Sequence, residues 1–561
     1  MTSSADDALI VQSDGSVLLE VHAPRAESAR EALAPFAELV KSPEHVHTYR
    51  LTPLSIWNAR SAGLSGATMV AALREHAKYP VPDNVVTEVG ELAARYGRVV
   101  LTRDGDPGDG LVLTCLDQPT AERLFRDRAT APCLGDRIDA TRFRVSPALR
   151  GTLKQALVVA GFPAEDLAGY VSGQEMPVAF RGRCLSGALL SVRDYQREAA
   201  EAFYLAGSER GGSGVIVLPC GAGKTIVGMA AMAAVGQTTL VLTTSLTSVK
   251  QWRRELLDKT TLENDAIAEY TGESKTTGPV TLSTYQVLTW RPDRESDFPH
   301  LSLFAARSWG LIIYDEVHLL PAPVFRVTAE LQARRRLGLT ATLVREDGRE
   351  GDVFALIGPK RYDVPWRDLE QRAWIATAVC TEVRVPMSQD RRMEYALAER
   401  RTQFRIAAEN PEKTGHVRAI LRRFPESRAL VIGEYLTQLE ALAKQLRAPL
   451  VTGKTPQSER EALYDRFRRG ELRQLVLSKV GNFAIDLPDA DVLIQVSGMF
   501  GSRQEEAQRL GRILRPKADG RTAHFFSLVS RDTREEELAH HRQLFLTEQG
   551  YSYKIEIPPE A

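Results

Sequence analysis

The sequence predicts an α/β protein in which two parallel sheets follow each other along the chain, preceded by small α+β domains. Apolar runs of strand length recur from Gly214 onwards, and each run precedes a helix-like pattern. A glycine-rich loop joins the first of these strands to its helix. Strands that alternate with helices over such a length are typical of parallel sheets, so these observations together indicate the fold class.

The composition is that of an ordinary globular protein. Of the 561 residues 43% are hydrophobic, and 72 Lys+Arg balance 72 Asp+Glu. Because the net charge is zero, any nucleic-acid surface must be a local patch. The five cysteines form no C-x-x-C pair, which argues against a disulfide framework and a structural zinc site. The sequence shows neither a signal-like start nor a long apolar run, so we expect a cytoplasmic protein without membrane contact.

Residues 1–127 are predicted to form an accessory domain. A helix that begins at Pro53 and a second helix from about Asp83 to Tyr96 precede a strand at residues 98–102. This order is compatible with a winged helix that binds DNA, but a domain that packs against other parts of the protein or a partner is favoured. Neither alternative is decided by the sequence.

Residues 128–185 are predicted to form a second small domain. Residues 142–145 favour a strand, and the following Pro147 favours a helix start, with Gly161 at the helix end. No chemical motif falls in this segment, so its role is not predicted from its own residues.

The segment LPCGAGKT, from Leu218 onwards, connects the first parallel strand to its helix. Its glycines let the backbone N–H groups approach phosphate oxygens, and the N-terminus of the helix favours the same anions. Leu218 departs from the strict phosphate-loop pattern, which has Gly there, and this weakens a kinase or GTPase interpretation. A lysine here reaches the β- and γ-phosphates and a threonine binds Mg²⁺. The nucleotide-binding residues are predicted to be Gly221, Ala222, Gly223, Lys224 and Thr225.

Arg193-Asp-Tyr-Gln196 lies just upstream of the phosphate-loop strand. A glutamine amide is complementary to the N6/N7 edge of adenine. The alternative is a simple helix cap, but the position of Gln196 before the loop favours an adenine contact, with Arg193 beside it.

Hydroxyl-bearing residues end the next two predicted strands, at residues 239–244 and 280–286. The carboxyl ends of parallel strands meet at one edge of a sheet, where ligands bind. Hydroxyl and backbone N–H groups there suit contacts to a phosphodiester backbone. The nucleic-acid contacts predicted from these segments are Thr244, Ser245, Thr284 and Tyr285.

Asp315 and Glu316 follow the apolar strand that begins at Trp309. Two adjacent carboxylates at a buried strand end are costly unless they have a task. We expect Asp315 to bind the Mg²⁺ that Thr225 also contacts, and Glu316 to orient and deprotonate the attacking water.

Gln196, GAGKT, DEVH and TAT, in this order, resemble a superfamily 2 helicase of the DEAH/DExH kind. The triplet Arg345-Glu346-Asp347 narrows the resemblance to the XPB-type DNA repair helicases, in which such a triplet is characteristic. The same family tolerates a residue other than glycine at the place of Leu218. The resemblance implies a RecA-like ATP-binding domain at residues 186–368 and nucleic-acid contacts by the triplet.

Residues 369–561 are predicted to form a second RecA-like domain. One amphipathic helix is expected within about residues 388–410, where XPB-like proteins have a thumb that grips DNA; a solvated helix face is the alternative. Further on, the sequence resembles helicase motif V. That resemblance implies nucleic-acid contacts by Ser478 and Lys479 and a nucleotide contact by Asp486. A second GKT sequence, which ends at Thr455, lacks the surroundings of a phosphate loop.

The segment EAQRLGRILR places Gln508, Arg512 and Arg515 on one face of a predicted helix. Two guanidinium groups delivered by a second domain suit the negative charge that develops on a γ-phosphate. We therefore expect these three residues to complete an ATP site between the two RecA-like domains.

The resemblance covers about residues 190–545, and the preceding chain is similar to the N-terminal and damage-recognition regions of the family. It implies a 3′→5′ DNA helicase or translocase of DNA repair that uses ATP and Mg²⁺. The expected substrate is single-stranded, duplex or forked DNA, with a nuclease or repair-complex partner. The alternatives are a duplex DNA translocase that does not separate strands and a damage-binding scaffold with a vestigial ATPase. An RNA substrate is less favoured, because no motif for the 2′-hydroxyl is present.

Overall fold

The computed structural model describes residues 6–41, 45–104, 110–219, 221–293, 296, 298–320, 324, 328, 334–341, 350–364, 369–370, 372, 374–478, 490–497, 522–548 and 552–558. The chain divides into two compact units, the first covering most of residues 1–363 and the second mainly Val364–Ala561. Within the described ranges no helix has the length and apolar character needed to span a bilayer. The predicted domain boundaries at 127, 185 and 368 remain predictions.

The first unit begins with a four-stranded sheet. Its strands are β1 (Leu9–Val11), β2 (Ser16–Glu20), β3 (Glu38–Lys41) and β4 (Val46–Arg50), in the order β1-β2-β4-β3. The accompanying helices are Ala26–Leu33, Pro53–Ser61, Gly66–His76 and Asp83–Arg95. The predicted helices at Pro53 and Asp83 are present. Gly66–His76 was not predicted; it begins with glycine, a poor helix former, and its N-terminus is capped by the side chain of Ser65.

A second four-stranded sheet follows. It contains β5 (Val99–Arg103), β6 (Leu111–Cys115), β7 (Arg142–Val145) and β8 (Glu165–Asp166), in the order β7-β6-β5-β8. Its helices are Gln118–Arg126 and Arg150–Val159. The strand predicted at residues 98–102 is β5, and it pairs with β6 and β8. The sheet therefore joins residues on both sides of the boundary predicted at 127.

The rest of the first unit is built on a seven-stranded sheet. Its strands are β9 (Ser213–Val217), β10 (Thr239–Thr243), β11 (Ile267–Tyr270), β12 (Val280–Thr284), β13 (Leu311–Asp315), β14 (Arg335–Thr340) and β15 (Lys360–Asp363). They lie in the order β11-β12-β10-β13-β14-β9-β15, and all pairs are parallel. The helices are Asp194–Tyr204, Lys224–Val235, Leu246–Lys259, Tyr285–Leu288 and Glu350–Leu356. The strand ends that carry the candidate site therefore share one edge, as the sequence predicted.

The second unit contains another seven-stranded parallel sheet. Its strands are β16 (Ala378–Val385), β17 (Ala429–Ile432), β18 (Leu450–Val451), β19 (Gln474–Leu477), β20 (Val492–Gln495), β21 (Ala523–Ser530) and β22 (Ser552–Glu556). They lie in the order β18-β19-β17-β20-β21-β16-β22. The helices are Gln389–Leu397, Arg400–Ala408, Glu412–Arg423, Leu436–Leu446, Gln457–Arg468 and Arg534–Glu548. Two parallel sheets in tandem confirm the predicted fold class.

The insertion at about residues 388–410 differs from the prediction. It forms two helices, Gln389–Leu397 and Arg400–Ala408, where the sequence analysis expected one. The break occurs because the residue after the first helix, Ala398, is extended, with ψ of 151°. The Tyr395 carbonyl accepts a hydrogen bond from Gln403 Nε2 at 3.2 Å, which holds the second helix beside the first. Such a tertiary contact cannot be deduced from helical periodicity.

A buried ion pair holds the second unit together next to this insertion. Lys413 Nζ lies 2.7 Å from Glu535 Oε2 and donates to the Val496 carbonyl at 2.9 Å. The same carboxylate oxygen accepts from the Ser530 N–H at 2.9 Å. Lys413 is 0% and Glu535 6% exposed. Two helices and the ends of β20 and β21 are therefore joined through charged groups that water does not reach.

We predict that Lys413→Met destabilises the second unit by about 3–5 kcal/mol, because it leaves the Glu535 carboxylate buried without its cation. Denaturant unfolding followed by circular dichroism measures this loss. Arg469→Met is the matched control, since Arg469 forms an exposed pair with Glu471 at 2.6 Å and its removal should change stability little. Equal effects of the two substitutions would show that burial does not determine the contribution of the pair.

Candidate functional site

The phosphate loop lies between β9 and the helix Lys224–Val235. Gly221 and Gly223 have φ of 83° and 81°, in the left-handed region that glycine adopts without strain. Leu218 is fully buried, and its N–H donates to the Thr340 carbonyl at 2.9 Å. An apolar side chain therefore suits the position at which the strict motif has glycine. The N-terminus of the helix, which begins at Lys224, favours an anion.

Gln196 supports this loop from the preceding helix. Its Oε1 accepts from the Arg193 N–H at 3.0 Å, and its Nε2 lies on the loop side, where a Cβ at position 223 would come within 2.5 Å of it. Gln196 is 4% exposed. The Gln196 side chain thus forms the helix cap considered in the sequence analysis and also contacts Gly223. The adenine contact of Gln196 and Arg193 remains a prediction.

Three charged groups meet at the end of β13. Lys224 Nζ lies 3.4 Å from Glu316 Oε1, and Asp315 is the preceding residue. Burial, and then the neighbouring Glu316 carboxylate, raise the pKa of Asp315 to about 6. Glu316 has φ of 52°, a left-handed conformation that is unusual for a residue other than glycine. The structure thus brings the predicted phosphate-binding lysine to the predicted catalytic carboxylates.

Trp252 is a part of the site that the sequence analysis left without a role. Its Nε1 donates to Asp315 Oδ2 at 2.9 Å, and this hydrogen bond favours the ionised carboxylate. The indole also packs on the phosphate-loop helix, where a Cβ at Gly228 would lie 2.5 Å from the ring. The sequence does carry one indication of this contact, Gly228, which lies inside an otherwise apolar helix. A glycine in such a position often marks the close approach of a large side chain.

His318 connects the carboxylates to the adjacent strand. Its Nδ1 lies 2.7 Å from Thr340 Oγ1 and 3.6 Å from Glu316 Oε2. Thr340 is the last residue of β14 and the first of the TAT sequence, and the side chains of His318 and Thr340 are both buried. The arrangement fixes the distance between the DEVH segment and the end of β14.

The side chains at this edge suit Mg²⁺. Glu316 Oε2 is buried and has no hydrogen-bond partner among the described residues. No group of three His, Cys, Asp or Glu that could hold a metal alone occurs in the described part of the chain. Nucleotide-bound Mg²⁺ needs no such group, because it takes one or two carboxylates together with phosphates and water. Asp315 and the hydroxyl of Thr225 are oxygen donors of the required kind.

The predicted nucleic-acid residues at the ends of β10 and β12 are partly engaged within the protein. Ser245 and Thr284 each cap a helix, and their hydroxyls accept from the N–H groups of Ser248 and Val287. The neighbouring Thr244 is half-buried. Tyr285 is buried, and its hydroxyl donates to the Asp315 carbonyl at 2.9 Å. We therefore reassign the Tyr285 side chain from a nucleic-acid contact to the support of the Asp315 strand end.

The remaining candidate residues belong mostly to segments outside the described residues. Ser478, at the end of β19, is described; it is buried, and its N–H donates to the Val451 carbonyl at 2.9 Å. The predicted positions outside the described residues are Arg345, Glu346, Asp347, Lys479, Asp486, Gln508, Arg512 and Arg515.

Family models match three parts of the chain. Residues 369–558 match "ERCC3/RAD25/XPB C-terminal helicase", residues 189–345 match "Type III restriction enzyme, res subunit", and residues 9–139 match "Helicase conserved C-terminal domain". The chain is 56% identical to the "DNA 3'-5' helicase XPB" of Mycobacterium tuberculosis over 98% of both chains. It is 54% identical to the protein of the same name from Kineococcus radiotolerans, over 98% of this chain and 96% of the relative. This chain belongs to the XPB family of superfamily 2 helicases.

A more distant relative also matches nearly the whole of this chain. The "General transcription and DNA repair factor IIH helicase/translocase subunit XPB/SSL2" of Saccharomyces cerevisiae is 33% identical, over 97% of this chain and 71% of its own. Membership of the XPB family confirms the resemblance drawn from the motifs. The two parallel sheets are accordingly the RecA-like domains of an ATP-dependent helicase.

We predict that Trp252→Phe raises the Mg²⁺ concentration needed for half-maximal ATP hydrolysis by about 10- to 100-fold, because Asp315 loses the donor that orients it. Mg²⁺ titration of the ATPase rate measures this. Trp309→Phe is the control, since Trp309 is equally buried but donates to the Leu303 carbonyl, away from Asp315. An unchanged Mg²⁺ requirement in Trp252→Phe would contradict the assigned role.

The Mg²⁺ requirement should also depend on pH. Protons compete with Mg²⁺ for Asp315, whose pKa is raised to about 6. The carboxylate is ionised above that pH, so the apparent affinity for Mg²⁺ should be constant between pH 7 and 8 and fall as the pH drops through 6. Mg²⁺ titrations of the ATPase at several pH values test this, with Asp315→Asn expected to lose the dependence together with most of the activity.

Proposed function

We propose that this protein is an ATP-dependent DNA helicase or translocase that moves 3′→5′ and acts in DNA repair. The observation that carries the proposal is the contact of 3.4 Å between Lys224 and Glu316, beside the buried Asp315, at the end of the phosphate loop. Relatives of the same family that span nearly the whole chain are named DNA 3'-5' helicases, which supports the direction of movement.

The contact between Lys224 and Glu316 suggests how the site responds to its substrate. When a triphosphate enters the loop, its oxygens compete with Glu316 for the lysine ammonium group, since phosphate carries more negative charge. Glu316 is then released to accept a proton from the attacking water. Mg²⁺, held by Thr225 and Asp315, would neutralise charge on the phosphates. Hydrolysis thus depends on nucleotide binding, which releases the base Glu316 from Lys224.

The second RecA-like domain contributes the residues predicted from EAQRLGRILR. Arg512 and Arg515 are proposed to stabilise the charge that develops on the γ-phosphate, and Gln508 to lie on the same helix face. Because these groups would come from another domain, fast hydrolysis would require the domains to close, and their reopening would move them relative to bound DNA. Asp486 is proposed to contact the nucleotide, and Lys479 and the triplet Arg345-Glu346-Asp347 the DNA.

We predict that Lys224→Ala removes DNA-stimulated ATPase by at least about 100-fold and weakens nucleotide binding, because the phosphates lose their cation. Glu316→Gln should abolish turnover but keep nucleotide binding, since only the base is removed. ATPase assays and binding of a fluorescent ATP analogue distinguish the two effects.

Lys454→Ala is the matched control for Lys224→Ala. Lys454 stands in the second GKT sequence of the chain, where it is exposed in a turn closed by the hydrogen bond from the Thr452 N–H to Thr455 Oγ1, 2.9 Å. Its replacement should leave the ATPase unchanged. Near-normal turnover in Lys224→Ala, or equal losses in both variants, would refute the site.

A duplex DNA translocase that does not separate strands is the second candidate, because the yeast relative is named a helicase/translocase subunit. The two activities use the same motor residues, so a strand-displacement assay is needed beside a triplex-displacement assay. The same relative is named as a subunit of a transcription and repair factor, which supports a repair-complex partner for this chain.

A further inference from the structure

An aromatic cluster lies beside the carboxyl ends of β11 and β12, outside the nucleotide site. Tyr270 Oη and His300 Nδ1 are 3.0 Å apart, and the two rings meet edge to face with centroids 5.7 Å apart. Trp290 packs on the other side of His300, also at 5.7 Å between centroids. Trp290 is nevertheless 54% exposed. The indole of Trp290 is therefore exposed to solvent, and the His300 ring packs against it.

Two cations lie over other aromatic rings of the same region. Lys275 Nζ lies 4.8 Å above the Tyr270 ring, and Arg291, the residue after Trp290, lies 5.1 Å from the Phe298 ring. Both cationic side chains are exposed. They are held by aromatic faces, which leaves their N–H groups available to an anion.

Among the described residues, two exposed acidic groups, Asp293 and Glu273, lie in the same segments and equal these cations in number. Asp293 accepts hydrogen bonds from the N–H and the hydroxyl of Ser296, at 2.8 and 2.6 Å, which fold its carboxylate onto its own loop. Glu273 shares the turn of Lys275 and is exposed. Burial and the charge of Lys275 lower the pKa of His300, so the imidazole is neutral at pH 7. The cationic groups of the cluster are thus Lys275 and Arg291.

The position of the cluster follows from the order of the strands. β11 and β12 lie on the far side of β10 from the nucleotide-binding strands β13, β14 and β9. At about 4.8 Å between neighbouring strands, β11 lies roughly 24 Å from β9 along the shared edge. A polymer that crosses the hydroxyl-bearing ends of β10 and β12 therefore reaches the cluster next, whereas ATP at β9 does not.

We propose that Trp290, which packs on His300 in the cluster that also holds Tyr270, is a stacking platform for an unpaired base of single-stranded DNA, with Lys275 and Arg291 of the same region as its cationic groups. The inference rests on the proposed function, which supplies DNA as the polymer. The exposed indole offers a π-face for a base, and the exposed side chains of Lys275 and Arg291 offer cationic contacts to the backbone; single-strand binding requires both kinds of contact. Packing within the protein explains the positions of Tyr270 and His300. It does not explain the exposure of Trp290, because burial of this large apolar ring would be favourable.

Trp290→Ala tests the platform. Fluorescence anisotropy with a single-stranded oligonucleotide should show binding weakened about fivefold or more, since stacking on one aromatic residue contributes about 1–3 kcal/mol. Trp290→Phe should restore most of the affinity, because a phenyl ring retains a π-face. Tyr79→Ala is the control: Tyr79 is 59% exposed in the N-terminal part of the chain, and its removal should leave single-strand affinity unchanged.

Three further measurements test the stacking role. The loss of affinity caused by Trp290→Ala should be smaller on blunt duplex DNA, whose bases are already stacked. An equal loss of affinity on duplex DNA would overturn the stacking role. Lys275→Ala should reduce the slope of log affinity against log salt by about 0.7, the value for one phosphate contact on a single strand, whereas Trp290→Ala should leave the slope unchanged. Thermal unfolding should show the same midpoint for Trp290→Ala as for the unmodified chain, since the exposed ring contributes little to the core.

The outcomes separate this inference from the proposed function. If the unmodified protein binds DNA and Trp290→Ala binds it equally well, the platform is refuted and the helicase assignment stands. If the unmodified protein binds no DNA, the proposed function fails and the platform with it. Loss of a protein partner in Trp290→Ala, with single-strand affinity intact, would reassign the cluster to a protein contact and overturn the proposal.

Discussion

The candidate site depends on one electrostatic constraint: Asp315 is a carboxylate at the end of a buried strand. Removing such a charge from water is costly, and the raised pKa, about 6, records that cost. The hydrogen bond from Trp252, the positive charge of Lys224 and a backbone hydrogen bond from Glu316 lower the pKa of Asp315, whereas the Glu316 carboxylate raises it. The three charges compensate one another incompletely, so a divalent cation bound at Asp315 would stabilise the site.

The same constraint explains why the strand ends are joined so closely to one another. Tyr285, which follows β12, donates to the carbonyl of Asp315 at the end of β13. His318, after β13, lies 2.7 Å from the hydroxyl of Thr340 at the end of β14. Thr340 in turn accepts through its carbonyl from Leu218, where the phosphate loop begins. Hydrogen bonds therefore run along the edge of the sheet from the segment near the proposed DNA-binding surface to the nucleotide loop. A shift of one strand end would break at least one of them.

The features that could be predicted from the sequence are those that short segments determine. The loop around Lys224 and the pair Asp315-Glu316 each lie within a few residues of a buried strand, and the residue types restrict their chemistry. The features that were missed depend on contacts between distant parts of the chain. Trp252 reaches Asp315 across 63 positions, and Tyr285 reaches it across 30. Periodicity along one helix carries no information about such contacts, and the same limit explains the unpredicted break at Ala398.

The strand β14 links this site to the N-terminal part of the first unit. At its beginning Arg336 is almost fully buried and donates to the Leu356 carbonyl at 2.6 Å and to Ser213 Oγ at 3.3 Å. The adjacent Arg335 lies over the Tyr170 ring, 5.2 Å from its centroid, which joins the strand to the segment that follows β8.

The other end of β14 is Thr340, in contact with His318. An extended strand of six residues is stiff along its axis, and this one is bonded to β13 and β9 along its length. A displacement of the segment around Tyr170 therefore cannot be absorbed within β14 without loss of sheet hydrogen bonds. Contacts at its two ends therefore make β14 the element that joins the segment around Tyr170 to the strand end that positions His318.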